Sequence, residues 1–248
     1  IAISLKVTLC KVVDSRIHSI QKCISGRNLI DNVILIDACM HKFAMLGLPF
    51  AAAFFWDFTS AFLSLAHSYL WRVLRTAGLP LQFVTVVQRL YENNRHYIKL
   101  GKKIFQGPSV FKGVKQGCPL SMILFAIALE PFTRHMITLL SDGDQLGAFA
   151  DDIGCVLRDV RAVLPNLVEL FDRFARISSL QLDFEKCVVV PLCTAAFVDS
   201  FSTMFREMAP SWLSFRVQSH AEYLGFQLGP SAHLHQWVAI VRKATETV

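Results

Sequence analysis

Residues 43–71, FAMLGLPFAAAFFWDFTSAFLSLAHSYLW, hold one acidic side chain, Asp57, one histidine, His67, and no lysine or arginine. A run this apolar is either a lipid-spanning helix or the interior of a layered fold. A span needs about 20 apolar residues in unbroken helix. Leu48 and Pro49 interrupt the run, and Asp57 falls near its middle, where an unpaired carboxylate costs at least about 2.5 kcal/mol. The segment therefore reads as a buried strand over 51–56 that ends on an acid. A helix over 61–76 follows, with Thr59 as its cap. No membrane is expected as a partner.

The rest of the chain supports a layered fold. Its 248 residues carry no internal repeat or low-complexity linker, and read as one continuous unit. Helices are expected over 6–20, 28–46, 81–93, about 120–139, 161–177, 195–208 and 234–247. Strands are expected in 95–111 (a lysine-rich pair), 146–157, 184–191 and 222–228. This mixture is an α+β pattern. The net charge of +6 points to a polyanionic partner or an anionic surface. Seven scattered cysteines form no C-x-x-C pair, and are expected to be reduced thiols of an intracellular protein. No signal peptide is legible, and the chain, lacking an initial Met, reads as starting inside a longer polypeptide.

Asp57 by itself could simply cap the next helix. The stretch LGAFADDIGCVL, 146–157, changes its weight. Asp151 and Asp152 sit side by side between two apolar strands, where they repel each other and lose hydration unless a cation neutralises them. A plain hairpin turn is the other reading of an Asp pair. Acids at the ends of two neighbouring strands make a hard-oxygen site suited to Mg²⁺. Two such ions can clamp an in-line phosphoryl displacement.

Seven segments, in order, resemble the reverse transcriptase domain of non-LTR (LINE-type) retrotransposons. They are ISL (3–5), QKCISGRNLIDNVI (21–34), WDFTSAF (56–62), GVKQGCPLSMILFAIALEP (113–131), FADD (149–152), SSLQLDFEKC (178–187) and EYLGFQLG (222–229). The resemblance implies an RNA-directed DNA polymerase that adds dNTPs to a DNA primer on an RNA template. It implies two Mg²⁺ ions, with Mn²⁺ able to replace them, held by Asp57, Asp151, Asp152 and the carbonyl of Phe58. Phe62 would be the aromatic gate against a 2′-hydroxyl. Gln116 and Gly117 would line the nucleotide pocket, Arg27 would hold phosphate, and Phe149 and Ala150 would approach the primer end. Lys186 would be the general acid for pyrophosphate, Tyr223–Gly225 would grip the primer, and Arg95, Lys99, Lys102, Lys103, Lys112 and Lys115 would face backbone phosphate. Arg27, Lys186 and this basic group can equally be ordinary solvated side chains, and Phe62 ordinary core.

The implied architecture is a right-hand polymerase palm, a ferredoxin-like antiparallel sheet with helices on one face, plus partial fingers. Partial fingers and a connecting helix would occupy 1–50, the palm 51–94 and 116–229, a hairpin 95–115, and the start of a thumb 230–248. An endonuclease domain would accompany it in a longer parent, with residence in the nucleus or cytoplasm. The sequence departs from the family pattern at Leu63, Met122, Ser179 and Asp183, where Asp, Pro, Gly and Asn are usual. A second reading is a truncated, catalytically inactive remnant that only binds nucleic acid.

Overall fold

The computed structural model describes residues 2–92 and 95–236. In chain order the regular elements are α1 (Ala2–Val13), α2 (Leu29–Leu46), β1 (Ala52–Trp56), α3 (Ala61–Ser64), α4 (His67–Thr76), α5 (Leu81–Tyr91), β2 (Arg95–Leu100), β3 (Lys103–Ser109) and α6 (Ser121–Leu139). They continue with β4 (Gln145–Phe149), β5 (Asp152–Leu157), α7 (Val160–Ser178), β6 (Val188–Pro191), α8 (Val198–Met208), β7 (Arg216–Val217), β8 (Ala221–Tyr223) and β9 (Phe226–Leu228).

The five-stranded sheet runs β4-β5-β1-β6-β7. All neighbours are antiparallel except β6 and β7, which are parallel. β1 is central because every one of its side chains is apolar and buried. Its alternation splits them between two cores. Ala52, Phe54 and Trp56 pack into the cluster that holds α6, α7 and α8, where Trp56 meets Phe171 at 5.0 Å between ring centres. Ala53 and Phe55 enter the second cluster with Val33, Ile36 and Met40 of α2 and Tyr223 of β8.

The α+β class stands as expected, with one refinement. Helices do not cover one face only, because α2 lies across β4 and β5 on the opposite face. Two glycines make that approach possible. Gly147 and Gly154 are cross-strand partners. A Cβ at Gly147 would sit 2.9 Å from Asn32 Cγ, and one at Gly154 would sit 2.9 Å from Ile36 Cδ1. A polar exposed face was never available to a sheet whose central strand reads AAFFW.

Other differences have local causes. The helix expected over 61–76 is broken between Ser64 and His67. Neighbouring segments take the backbone groups there: Gly113 N–H donates to Leu65 O at 2.7 Å, and Ala66 N–H donates to Ser178 O at 2.8 Å. Thr59 does not cap it; the capping position is Ser60, which makes no side-chain cap bond. The strand expected over 222–228 is a hairpin, β8–β9, turning at Leu224 and Gly225 with φ of 52° and 84°. β6 starts at Val188 rather than 184, because Asp183 O accepts from Lys186 and Cys187 in a turn. α1 stops at Val13, short of 20. The helix expected over 234–247 lies, beyond Gln236, outside the described residues. By length and composition α6 could cross a membrane, yet 61% of its apolar window is buried as the central helix of the core.

Candidate active site at the strand ends

The β1–β5 register directs the acids toward one another. Trp56 pairs with Ile153, so Asp57, the first residue after β1, follows in register toward Asp152, and its charge acts on both Asp151 and Asp152. Phe149 pairs with Asp152 across a two-residue turn of Ala150 and Asp151. Ala150 has φ of 53°, a left-handed conformation that costs a non-glycine residue about 1–2 kcal/mol. The turn is held from behind. Buried Gln21 accepts from Ala150 N–H at 2.8 Å and donates to Ala150 O at 3.2 Å. Buried Asn32 donates to Ala148 O at 2.9 Å and to Ile20 O at 3.0 Å. Neither Gln21 nor Asn32 was given a role from the sequence. The available signal was two amide side chains inside an otherwise structural motif, 21–34.

The electrostatics follow from crowding. Burial raises the Asp152 carboxyl to about 6, with Asp151 and then Asp57 adding repulsion. Burial also raises Asp151, and the Asp57 charge adds to it. Asp57 is raised by burial, offset by Lys186 and pushed further up by Asp183. Its own backbone is pinned, since its carbonyl accepts from Asp183 N–H at 2.9 Å. Lys186 Nζ lies 3.9 Å from Asp57 Oδ1 and 3.1 Å from Asp183 Oδ2. Hydrogen bonding to Asp183, then the Asp57 charge, holds the lysine protonated to higher pH. The unusual Asp at 183 thus gives Lys186 a second anionic partner.

A cleft of about 470 Å³ opens here, lined by Asp57, Asp152, Lys186, Arg216, Gln218 and Tyr223 among others. Among the described residues, no three His, Cys, Asp or Glu side chains converge closely enough to hold a metal ion. The donor chemistry fits a hard divalent cation, since acids on adjoining strand ends, each with its pKa raised, gain from a shared positive charge.

The other expected residues fall into distinct groups. Phe62 is half-buried and stacks on Phe125 of α6, with ring centres 4.6 Å apart. Its carbonyl accepts from Val114 N–H at 2.6 Å, which ties it to the loop carrying Gln116 and Gly117. Both of those are exposed, and Gly117 has φ of 80° with nothing within 4 Å of where a Cβ would stand. The Phe58 ring is buried against Phe171 and Phe174. Phe149 is half-buried beside the turn.

Arg27 is not directed at a ligand. Its nitrogens donate to Asp14 Oδ1 and to the carbonyls of Asp14, Ile17, His18 and Gln21, which uses all its donors inside the protein. The guanidinium clamps the connection between α1 and α2. Lys99, Lys102 and Lys103 are exposed on the β2–β3 hairpin, and Lys112 is exposed after it. Lys115 instead donates to Leu90 O at 3.0 Å and lies over the Tyr91 ring. The side chain of Arg95 lies outside the described part of the chain. Tyr223 is buried and packs 5.4 Å from Phe55, so the β8–β9 hairpin presents its turn rather than this ring.

A mainly antiparallel sheet backed by long helices, with carboxylates at adjoining strand ends, is the arrangement of a polymerase palm. Residues 3–228 match the family model for reverse transcriptase (RNA-dependent DNA polymerase). The chain belongs to that family. It is 29% identical over 239 residues to the Transposon TX1 uncharacterized 149 kDa protein of Xenopus laevis, covering 93% of this chain and 18% of that protein. It is 32% identical over 160 residues to the Pol polyprotein of the type-2 retrotransposable element R2DM of Drosophila melanogaster, covering 58% of this chain and 15% of that one. The chain thus spans less than a fifth of either relative. These relatives bear out the resemblance to the non-LTR type. Apo telomerase from Candida tropicalis shares the fold, with a TM-score of 0.62 at 11% identity over 92% of this chain and 39% of that one. Telomerase from Candida albicans, in complex with a fragment of telomeric RNA, gives 0.61 at 12% identity over 92% and 37%.

Proposed function

We propose that the chain is the polymerase core of an RNA-directed DNA polymerase, which joins a dNTP to the 3′-hydroxyl of a DNA primer on an RNA template. One observation supports the reading: the β1–β5 register directs Asp57 toward Asp152, with Asp151 in the adjoining turn and the Asp57 charge acting on both. In this reading Asp57, Asp151, Asp152 and the Phe58 carbonyl would hold two Mg²⁺ ions, or Mn²⁺ in their place. When bound, such ions supply charge neutralisation to the attacking and leaving oxygens. Their positive charge also favours the ionised form of three carboxyls whose pKa burial raises.

Gln21 and Asn32 fix the turn that carries Asp151, so the carboxylates need not be ordered at the moment of reaction. Phe62, seated flat on Phe125, presents a rigid edge to the sugar and excludes an extra hydroxyl. Gly117 allows close approach of the nucleotide to backbone, with Gln116 beside it. Lys186, protonated and within reach of Asp57, gives a proton or a charge to departing pyrophosphate. Lys99, Lys102, Lys103 and Lys112 meet backbone phosphate. The palm would take 51–94 and 116–229, the partial fingers 1–50, the hairpin 95–115, and the thumb would begin at 230–248. A longer parent would add an endonuclease domain and act in the nucleus or cytoplasm.

Primer extension on an RNA template with Mg²⁺ tests this. The wild-type chain is expected to extend a primer, and Asp151→Asn to abolish extension while leaving the fold intact. Template binding without extension, indifferent to Asp151→Asn, would overturn this reading in favour of a remnant that only binds nucleic acid.

A further inference from the structure

A wide cavity lies away from the carboxylates. It measures about 750 Å³ and sits among α4, α6, α7 and the segment after α1. It shares no residue with the cleft at Asp57. Its walls are apolar and include Val73, Ile127, Phe132, Leu170, Phe174 and Ile177, the last 60% exposed at the mouth. Arg16, Arg72 and Arg173 stand around it, all exposed. Among the described residues none of the three has a carboxylate in ion-pair range. The acid in the lining, Glu130, is buried and gives its Oε1 to Arg134 at 2.6 Å and to His18 N–H at 2.9 Å, while its Oε2 has no hydrogen-bond partner among the described residues.

We propose that this cavity docks an acidic amphipathic helix of a partner protein. The chemistry selects that occupant in two ways. An uncompensated ring of three guanidinium groups calls for several carboxylates at the edges of the ligand. A wide apolar interior calls for two or three large hydrocarbon side chains at its centre. A helix with one apolar stripe and acidic flanks presents both at once. Nucleic acid would satisfy the arginines but offers no aliphatic surface for the interior. A lipid bilayer would need a protruding apolar surface, and this one is concave.

The test uses the whole chain and a fluorescein-labelled helical peptide of about fourteen residues, with Leu and Phe at i, i+4 and i+7 and Glu on both flanks. Fluorescence anisotropy is expected to show binding that weakens with added salt. A counterpart with Lys for Glu is expected not to bind. Arg173→Glu and Ile177→Glu change exposed positions, so circular dichroism should be unaltered, and each is expected to weaken the acidic peptide by about tenfold or more. Primer extension should be unchanged by Ile177→Glu, which separates this site from the polymerase reading. The proposal is overturned if the acidic peptide does not bind, or if both peptides bind alike. It is also overturned if neither variant matters, or if phosphatidylglycerol vesicles bind at this mouth in place of the peptide.

Discussion

Ser179 shows what a single residue can store. The family pattern has glycine there, and the reason is conformational: Ser179 ends α7 with φ of 63°, a left-handed cap. Glycine enters that region without strain, whereas serine does not. Ser179→Gly is expected to stabilise the fold by about 0.5–1 kcal/mol, net of the extra freedom glycine has when unfolded. A shift of the urea midpoint with unchanged slope would show it; destabilisation would mean the serine makes a contact worth more than the strain. Arg27 carries the opposite lesson. Its motif position suggested phosphate, and a guanidinium offers five donors to either a ligand or the chain. The choice was made by the carbonyls of residues 14–21, which no local pattern displays.

At the scale of elements, the seating of α2 on β4 and β5 depends on the Gly147–Gly154 pair. Gly147→Ala would press a methyl onto Asn32 and displace its bonds to Ala148 and Ile20. The expected cost is about 1–3 kcal/mol, read as a lower denaturation midpoint, together with reduced extension activity because the Asp151 turn loses its backing. Full activity with normal stability would remove Asn32 from the supporting frame. The strand ending on Asp57 and the strand pair around Asp151 and Asp152 were legible from apolar runs bounded by acids. Helices α2, α6 and α7 were legible from their apolar spacing. The second covered face was not, because a fully apolar strand does not say which elements bury each side. The break at Leu65 was not either, because it depends on bonds to Gly113 and Ser178, far away in the chain.

For the whole molecule, the crowded carboxylates set a pH dependence. Asp152 has its folded-state pKa raised from 3.8 to about 6. Between those values the folded protein keeps a proton that the unfolded chain has lost, so stability is greatest below about pH 4 for this group and declines as pH rises through 6. Thermal melts without divalent ions are expected to show that decline, and Asp152→Asn to flatten it. Added Mg²⁺ should raise the midpoint at pH 7 in the wild type more than in Asp152→Asn. A melt insensitive to pH across 4–6 would contradict the crowding.

The most direct test of a shared cation site is Mn²⁺ binding followed by electron paramagnetic resonance, with the wild type compared against Asp57→Asn and Asp151→Asn. If the three acids act together, each substitution weakens Mn²⁺ binding by at least about tenfold, although Asp57 follows β1 and Asp151 lies in the β4–β5 turn. Wild-type affinity retained in Asp57→Asn would show that β1 contributes nothing to the ion, and the polymerase account would fail with it.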